Sequence, residues 1–109
     1  MHKPVWQREE EGGIQLIESA LANRSYTVFN GHVHSYSHAD RNNRDYIILG
    51  TTGGSQNDKD LMSFDHVTLV TMDDNEPDIA NLRLDGILDK TGNLPLHGDT
   101  LCFQALKCK

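Results

Sequence analysis

The period of hydrophobic positions changes along the chain. In EEEGGIQLIESALANRS, Ile14, Ile17 and Leu21 recur at the three- and four-residue steps of a helix face, with Leu16 and Ala20 flanking them. Glu9 to Glu11 suit the positive end of a helix dipole, and Asn23 supplies a stop. A helix over about residues 13–22 is expected. Residues 1–8, with Lys3 ahead of Pro4, read as an extended or turn segment. After the helix, short β-rich runs take over. YTVFN (26–30) predicts a short strand, and DYIILG (45–50) a buried strand running into TTGG. HVTLVTM (66–72) alternates and is β-branched, DDNEP (73–77) is a turn, and DIANLRL (78–84) is the returning strand of a hairpin. The stretch 31–44 is polar and histidine-rich and reads as a loop, SQNDKD as a flexible polar stretch, and DKTGN (89–93) as a further turn. TLCFQALKC fits either a strand or a short helix. The expected class is α+β: a mostly antiparallel β-sheet with one N-terminal helix, in a single domain over 1–109.

A chain of 109 residues suits one small domain with a modest core. Its net charge of −6 argues against a nucleic-acid binder, which needs a basic stripe along the backbone. Phosphate chemistry on such a surface requires a local positive centre such as bound metal. The two cysteines, Cys102 and Cys108, match no common metal spacing and read as free thiols. No apolar run approaches the roughly 18 residues that span a bilayer, so no membrane partner is expected. MHKPVWQREEE lacks the apolar stretch of a secretory leader, so a cytoplasmic location is the expectation if Met1 is the natural start.

The candidate chemistry lies in NGHVHSYSH (30–38), where His32, His34 and His38 crowd one segment. In extended backbone, alternate side chains share a side, so His32 and His34 can aim at one ion or at two adjacent ions. Gly31 lets the backbone approach a ligand or turn sharply. Imidazole suits zinc, iron, manganese and similar ions. Against this stands the plainer reading of an H-x-H pair as two solvated loop histidines. Among the rest, Tyr36 and Trp6 can pack or line a pocket, His38 and His66 read as a loop and a strand-end residue, and His97 has no evident partner. Asp40, Arg41, Arg44 and Asp45 form a charged loop, with Arg41 or Arg44 able to meet a phosphate. Gly53 and Gly54 read first as turn residues.

The order of strand, Asn30-Gly31-His32-Val33-His34-Ser35-Tyr36, loop, strand and Gly50-Thr51-Thr52-Gly53-Gly54 resembles the closing motif of the calcineurin-like metallophosphoesterases. These carry Gly-His-x-His after a strand, often followed by Ser-Tyr, and their next strand often ends in a glycine-rich turn. MHKPVW resembles the preceding metal motif of that family. The helix between the two motifs and the hairpin after them also fit, so the resemblance spans about residues 1–90. It implies that His2 and His32 bind one divalent metal ion (zinc, manganese or iron) and that His34 binds a second. It implies phosphate mono- or diesters as substrates, and a fold corresponding to about half of an α/β/β/α sandwich.

The family's N-terminal motifs do not occur here. There is no Asp-x-His and no Gly-Asn-His, and GDTLC (98–102) has Cys102 where the second motif requires aspartate. The expectation is therefore the C-terminal part of a metallophosphoesterase domain, holding histidine ligands without the carboxylates and inactive on its own. It would supply roughly one sheet and one helix, with an exposed face that favours a homo-oligomer. The alternative is a non-catalytic, β-rich module that associates with itself or with a partner, its histidines vestigial.

Overall fold

The computed structural model describes residues 1–8, 13–57, 59–84, 86–88 and 90–91. Glu9 to Glu11, both cysteines, His97 and the 100–108 segment lie outside the described residues, as does the 89–93 turn apart from Lys90 and Thr91. Among the described residues, one α-helix and six strands follow a short 3-10 turn at Val5–Gln7. The class is α+β, with the helix near the N-terminus and strands that are mostly antiparallel. Among the described residues no helix is long and apolar enough to cross a membrane.

Helix α1, Gly13–Ala20, stops short of the predicted residue 22, and the chain leaves it through a turn. Its apolar face is only partly used. Ile14 is buried, whereas Ile17 is 49% and Leu16 75% exposed. The helix is tied to the sheet instead by Glu18, which accepts from Arg41 Nε at 2.6 Å and from the Tyr46 hydroxyl at 2.7 Å.

The first sheet has the order β1-β3-β2, where β1 is Val28–Asn30, β2 is Ser37–Arg41 and β3 is Arg44–Ile48. β1 runs parallel to β3, and β2 antiparallel to it. The central strand carries the buried Tyr46, Ile47 and Ile48. Strand β2 lies inside the stretch expected to be a loop. The hairpin signal is Asn42-Asn43, whose φ values of 56° and 55° suit the two-residue loops that match strand twist, and asparagine tolerates that region better than most residues. Polar edge residues such as Ser37, His38 and Asp40 hide this strand from a hydrophobicity argument.

The second sheet is an antiparallel meander of β4 (His66–Asp73), β5 (Glu76–Arg83) and β6 (Gly86–Leu88). The β4–β5 hairpin was expected, and it turns at Asp74-Asn75, again with positive φ (44° and 72°). The described residues thus form two small sheets, not one. Their joint is narrow. Thr51 pairs with Asp65 in an isolated parallel bridge, the Thr51 N–H donates to Phe64 O at 3.2 Å, and the His66 N–H donates to Thr51 O at 2.9 Å. The core sits across this joint: Tyr36, Ile47, Phe64 and Ile79 are buried together, with Phe29, Leu49 and Met62 packed against them.

Candidate metal-binding cleft

Asn30, the last residue of β1, is the anchor of the site. It is 2% exposed and has every side-chain polar atom engaged. Its Nδ2 donates to Met1 O at 2.9 Å and Lys3 O at 3.1 Å, while its Oδ1 accepts from Trp6 Nε1 at 2.7 Å. Trp6 also packs edge-on against Tyr46, with ring centroids 5.1 Å apart, so it serves packing more than the site mouth. The Gly31 N–H closes the clamp on His2 O at 2.9 Å. An extended N-terminal segment is thereby strapped alongside the end of β1.

The strap brings two of the sequence-predicted histidines together. His2 Nε2 and His32 Nδ1 lie 3.3 Å apart, with the rings edge-on at 5.2 Å between centroids. Both are exposed. His34 goes elsewhere: its Nδ1 is 3.0 Å from both the carbonyl and the hydroxyl of Ser55. The geometric expectation for the pair fails at its premise, because the segment is not extended. His32 and His34 take φ of 74° and 62°, in the left-handed region that non-glycine residues seldom occupy. Such backbone is held only where the surroundings over-determine it, and it clusters at functional sites.

His2, His32 and His34 line one cleft of about 610 Å³, together with Gly31, Leu49 to Thr52, Gly54 and the start of β4. No Asp or Glu lines it among the described residues. The same residues contain no group of three or more His, Cys, Asp or Glu that could hold a metal ion. A fit to metal therefore rests on two donors. Their separation matches the edge of a tetrahedral site, since ligands about 2.0–2.1 Å from zinc sit about 3.3–3.4 Å from one another. Arg41 and Arg44 are turned away from the cleft, one to Glu18 and the other to Arg24 O at 2.8 Å. His38 is not a loop residue but a β2 residue, bonded to Asp45 at 2.6 Å. Asp45 also meets Lys90 Nζ at 2.9 Å. Burial raises the Asp45 carboxyl, but its bonds to His38 and Lys90 outweigh this and hold it below the ordinary value.

His66 carries more than a strand-end role. It is 4% exposed, and its Nε2 accepts the Gly50 N–H at 2.8 Å. That bond requires the lone pair on Nε2 and leaves the proton on Nδ1, 3.4 Å from Thr68 Oγ1, which in turn donates to Asn81 Oδ1 at 2.8 Å. Burial favours the neutral ring and pushes its pKa down, and Arg83 adds to this. Beside it, Asp65 accepts from the Thr51 hydroxyl and from the Gly53 N–H, which together hold its carboxyl low. The neutral histidine and the anchoring asparagine carried no sequence signal beyond polar residues at strand ends.

The chain matches no family profile, no curated protein and no solved structure.

Proposed function

We propose that this chain supplies the imidazole half of a divalent-metal site that acts on phosphate esters, as the C-terminal part of a metallophosphoesterase-like domain. The observation that carries the proposal is the pairing of His2 and His32 at 3.3 Å across 30 residues of sequence. Three others support it: the built anchor at Asn30, the strained backbone at His32 and His34, and an open cleft beside them. The motif order that resembles the calcineurin-like enzymes points the same way.

His2 and His32 would hold zinc, manganese or iron, each through one ring nitrogen. When bound, the ion supplies a Lewis acid for the phosphoryl oxygens. The chain's own residues position the ligands. Asn30 and Gly31 fix where His2 stands. Ser55 fixes the ring of His34, which borders the same cleft and can accept a second ion or a substrate oxygen. Two imidazoles and a neutral cleft do not balance two dications, so turnover requires carboxylates from a further segment.

The test is metal affinity by calorimetry with zinc and manganese, on the chain as it stands and on His2→Ala, His32→Ala and His34→Ala. Expected is binding that falls at least tenfold in His2→Ala and in His32→Ala, with a smaller loss in His34→Ala and no phosphodiester turnover in any of them. Binding unchanged in His32→Ala, or no binding by the chain itself, refutes the reading.

A further inference from the structure

The strand most open to pairing lies on the other side of the joint. β4 is the outermost strand of its sheet, and among the described residues nothing pairs with its outer edge beyond His66. At His66 that edge is covered: its N–H goes to Thr51 O and its C=O accepts from Thr52 Oγ1 at 2.9 Å. A residue's N–H and C=O point the same way in an antiparallel ladder, and the direction alternates. The backbone groups of Thr68, Val70 and Met72 therefore face outward, while those of Val67, Leu69 and Thr71 serve β5.

Within the strand itself the usual protections of an edge are missing. From His66 to Met72 there is no Lys, Arg, Pro or Gly, and no bulge breaks the register with β5. Both faces of the strand are apolar and open. Val67 and Leu69 are each 54% exposed on one face, and Val70 is 42% and Met72 64% exposed on the other. The acidic tip of Asp73, Asp74 and Glu76 lies at one end, while at the other Asp65 precedes the strand and Arg83 stands opposite His66.

We infer that a second copy of this chain pairs antiparallel along β4, forming a six-stranded sheet across a two-fold axis. Charge chooses the direction. A parallel arrangement would set the two acidic tips side by side. The antiparallel one separates the two tips and sends each toward the end of the other copy where Arg83 accompanies Asp65. The register that leaves the covered His66 backbone undisturbed puts Val70 against Val70 of the second copy and Thr68 against its Met72. The inference does not rest on metal binding: His2, His32 and His34 lie outside β4, although the cleft they line reaches His66, Val67 and Thr68.

The test is molar mass by light scattering from low micromolar to near-millimolar protein, with Val70→Pro as the variant. Proline at an outward position removes an edge donor without touching the β5 ladder. Expected is a dimer that falls to monomer mass in Val70→Pro while the β-sheet circular dichroism is retained. Should that variant misfold, oxidation in a Cys102→Ser, Cys108→Ser background gives an independent reading. Val70→Cys then crosslinks, since directly opposed residues stand about 5.5 Å apart between Cα atoms. Asp73→Cys does not, because six residues of offset separate the two sulfurs by about 20 Å. A monomer at all concentrations overturns the inference, whether the edge is open or covered by another part of the chain. Crosslinking at Asp73→Cys instead of Val70→Cys overturns it as well.

Discussion

The Gly50 amide and the His66 imidazole meet at 2.8 Å across the joint between the two sheets, and neither partner tolerates much change. A Cβ on Gly50 would stand 2.7 Å from Phe64 O and 3.2 Å from His66 Nε2. Backbone cannot give way as a side chain can. Gly50→Ala should cost about 1–3 kcal/mol in chemical denaturation. Gly31→Ala is the control, because its Cβ would meet only His2 atoms at 3.6 Å or more, and it should change stability by about 1 kcal/mol or less. Equal losses at the two glycines would contradict the steric account.

His66 also predicts a pH dependence. Its folded-state pKa is depressed, first by burial, with Arg83 adding to it and the Asn81 side chain and Asp65 opposing it. The unfolded chain takes up the proton first as pH drops below about 6.5. The stability from the neutral ring is fully present above that pH and is lost as pH falls through the folded value, at no more than about 1.4 kcal/mol per pH unit. Denaturation midpoints from pH 5 to 8 should slope for the unaltered chain and flatten in His66→Gln. A variant with an unchanged slope would assign the effect to another group.

Asn30 makes a different kind of prediction, because it touches no ion and yet sets the site. Asn30→Leu keeps the bulk and leaves the Trp6 indole N–H, Met1 O and Lys3 O without their partner. The loss should be about 2–4 kcal/mol. Trp6 fluorescence should shift to the red and zinc affinity should fall, although both histidines remain. Affinity that survives in Asn30→Leu would mean the histidines find each other without the strap.

Helix α1 should be the least stable part of the fold. Eight residues are too few for an isolated helix, and only Ile14 is buried. Glu18 therefore fastens it, through Arg41 and Tyr46. These bonds, the one from Arg41 first, hold its carboxyl below the ordinary value. Glu18→Ala should release the helix while β3 stays protected, seen as faster amide exchange over Gly13–Ala20 alone. Faster exchange throughout the chain would show that the helix is integral to the core.

The parts of the fold legible in the sequence were those with a regular period or a strong turn. Ile14 and Ile17 announced the helix, and Val67, Leu69 and the DDNEP turn announced the hairpin. What the sequence hid was polar. Strand β2 carries Ser37, His38 and Asp40, and its only local cue is a pair of asparagines at positive φ. The site was half legible. His2 and His32 were named from the motif and do meet. The extended geometry assumed for His32 and His34 fails because both adopt left-handed backbone, which no hydrophobic pattern encodes. Asn30 and His66 act through long-range hydrogen bonds, and such pairings leave no trace in local spacing.

The Asp74-Asn75 turn joins β4 to β5 through two residues, whereas His2 must travel 30 residues to reach His32. Loop closure favours the short connection by far. The hairpin should therefore form early in folding, and the imidazole pair only after β1 has docked and Asn30 has caught the strand. The site should assemble late and open early, as helix α1 does. Native-state amide exchange at Gly31 should then report an opening well below the global unfolding free energy. A metal ion bound at the proposed site would, in that order of events, meet a protein already folded and stabilise the closing of its final strap.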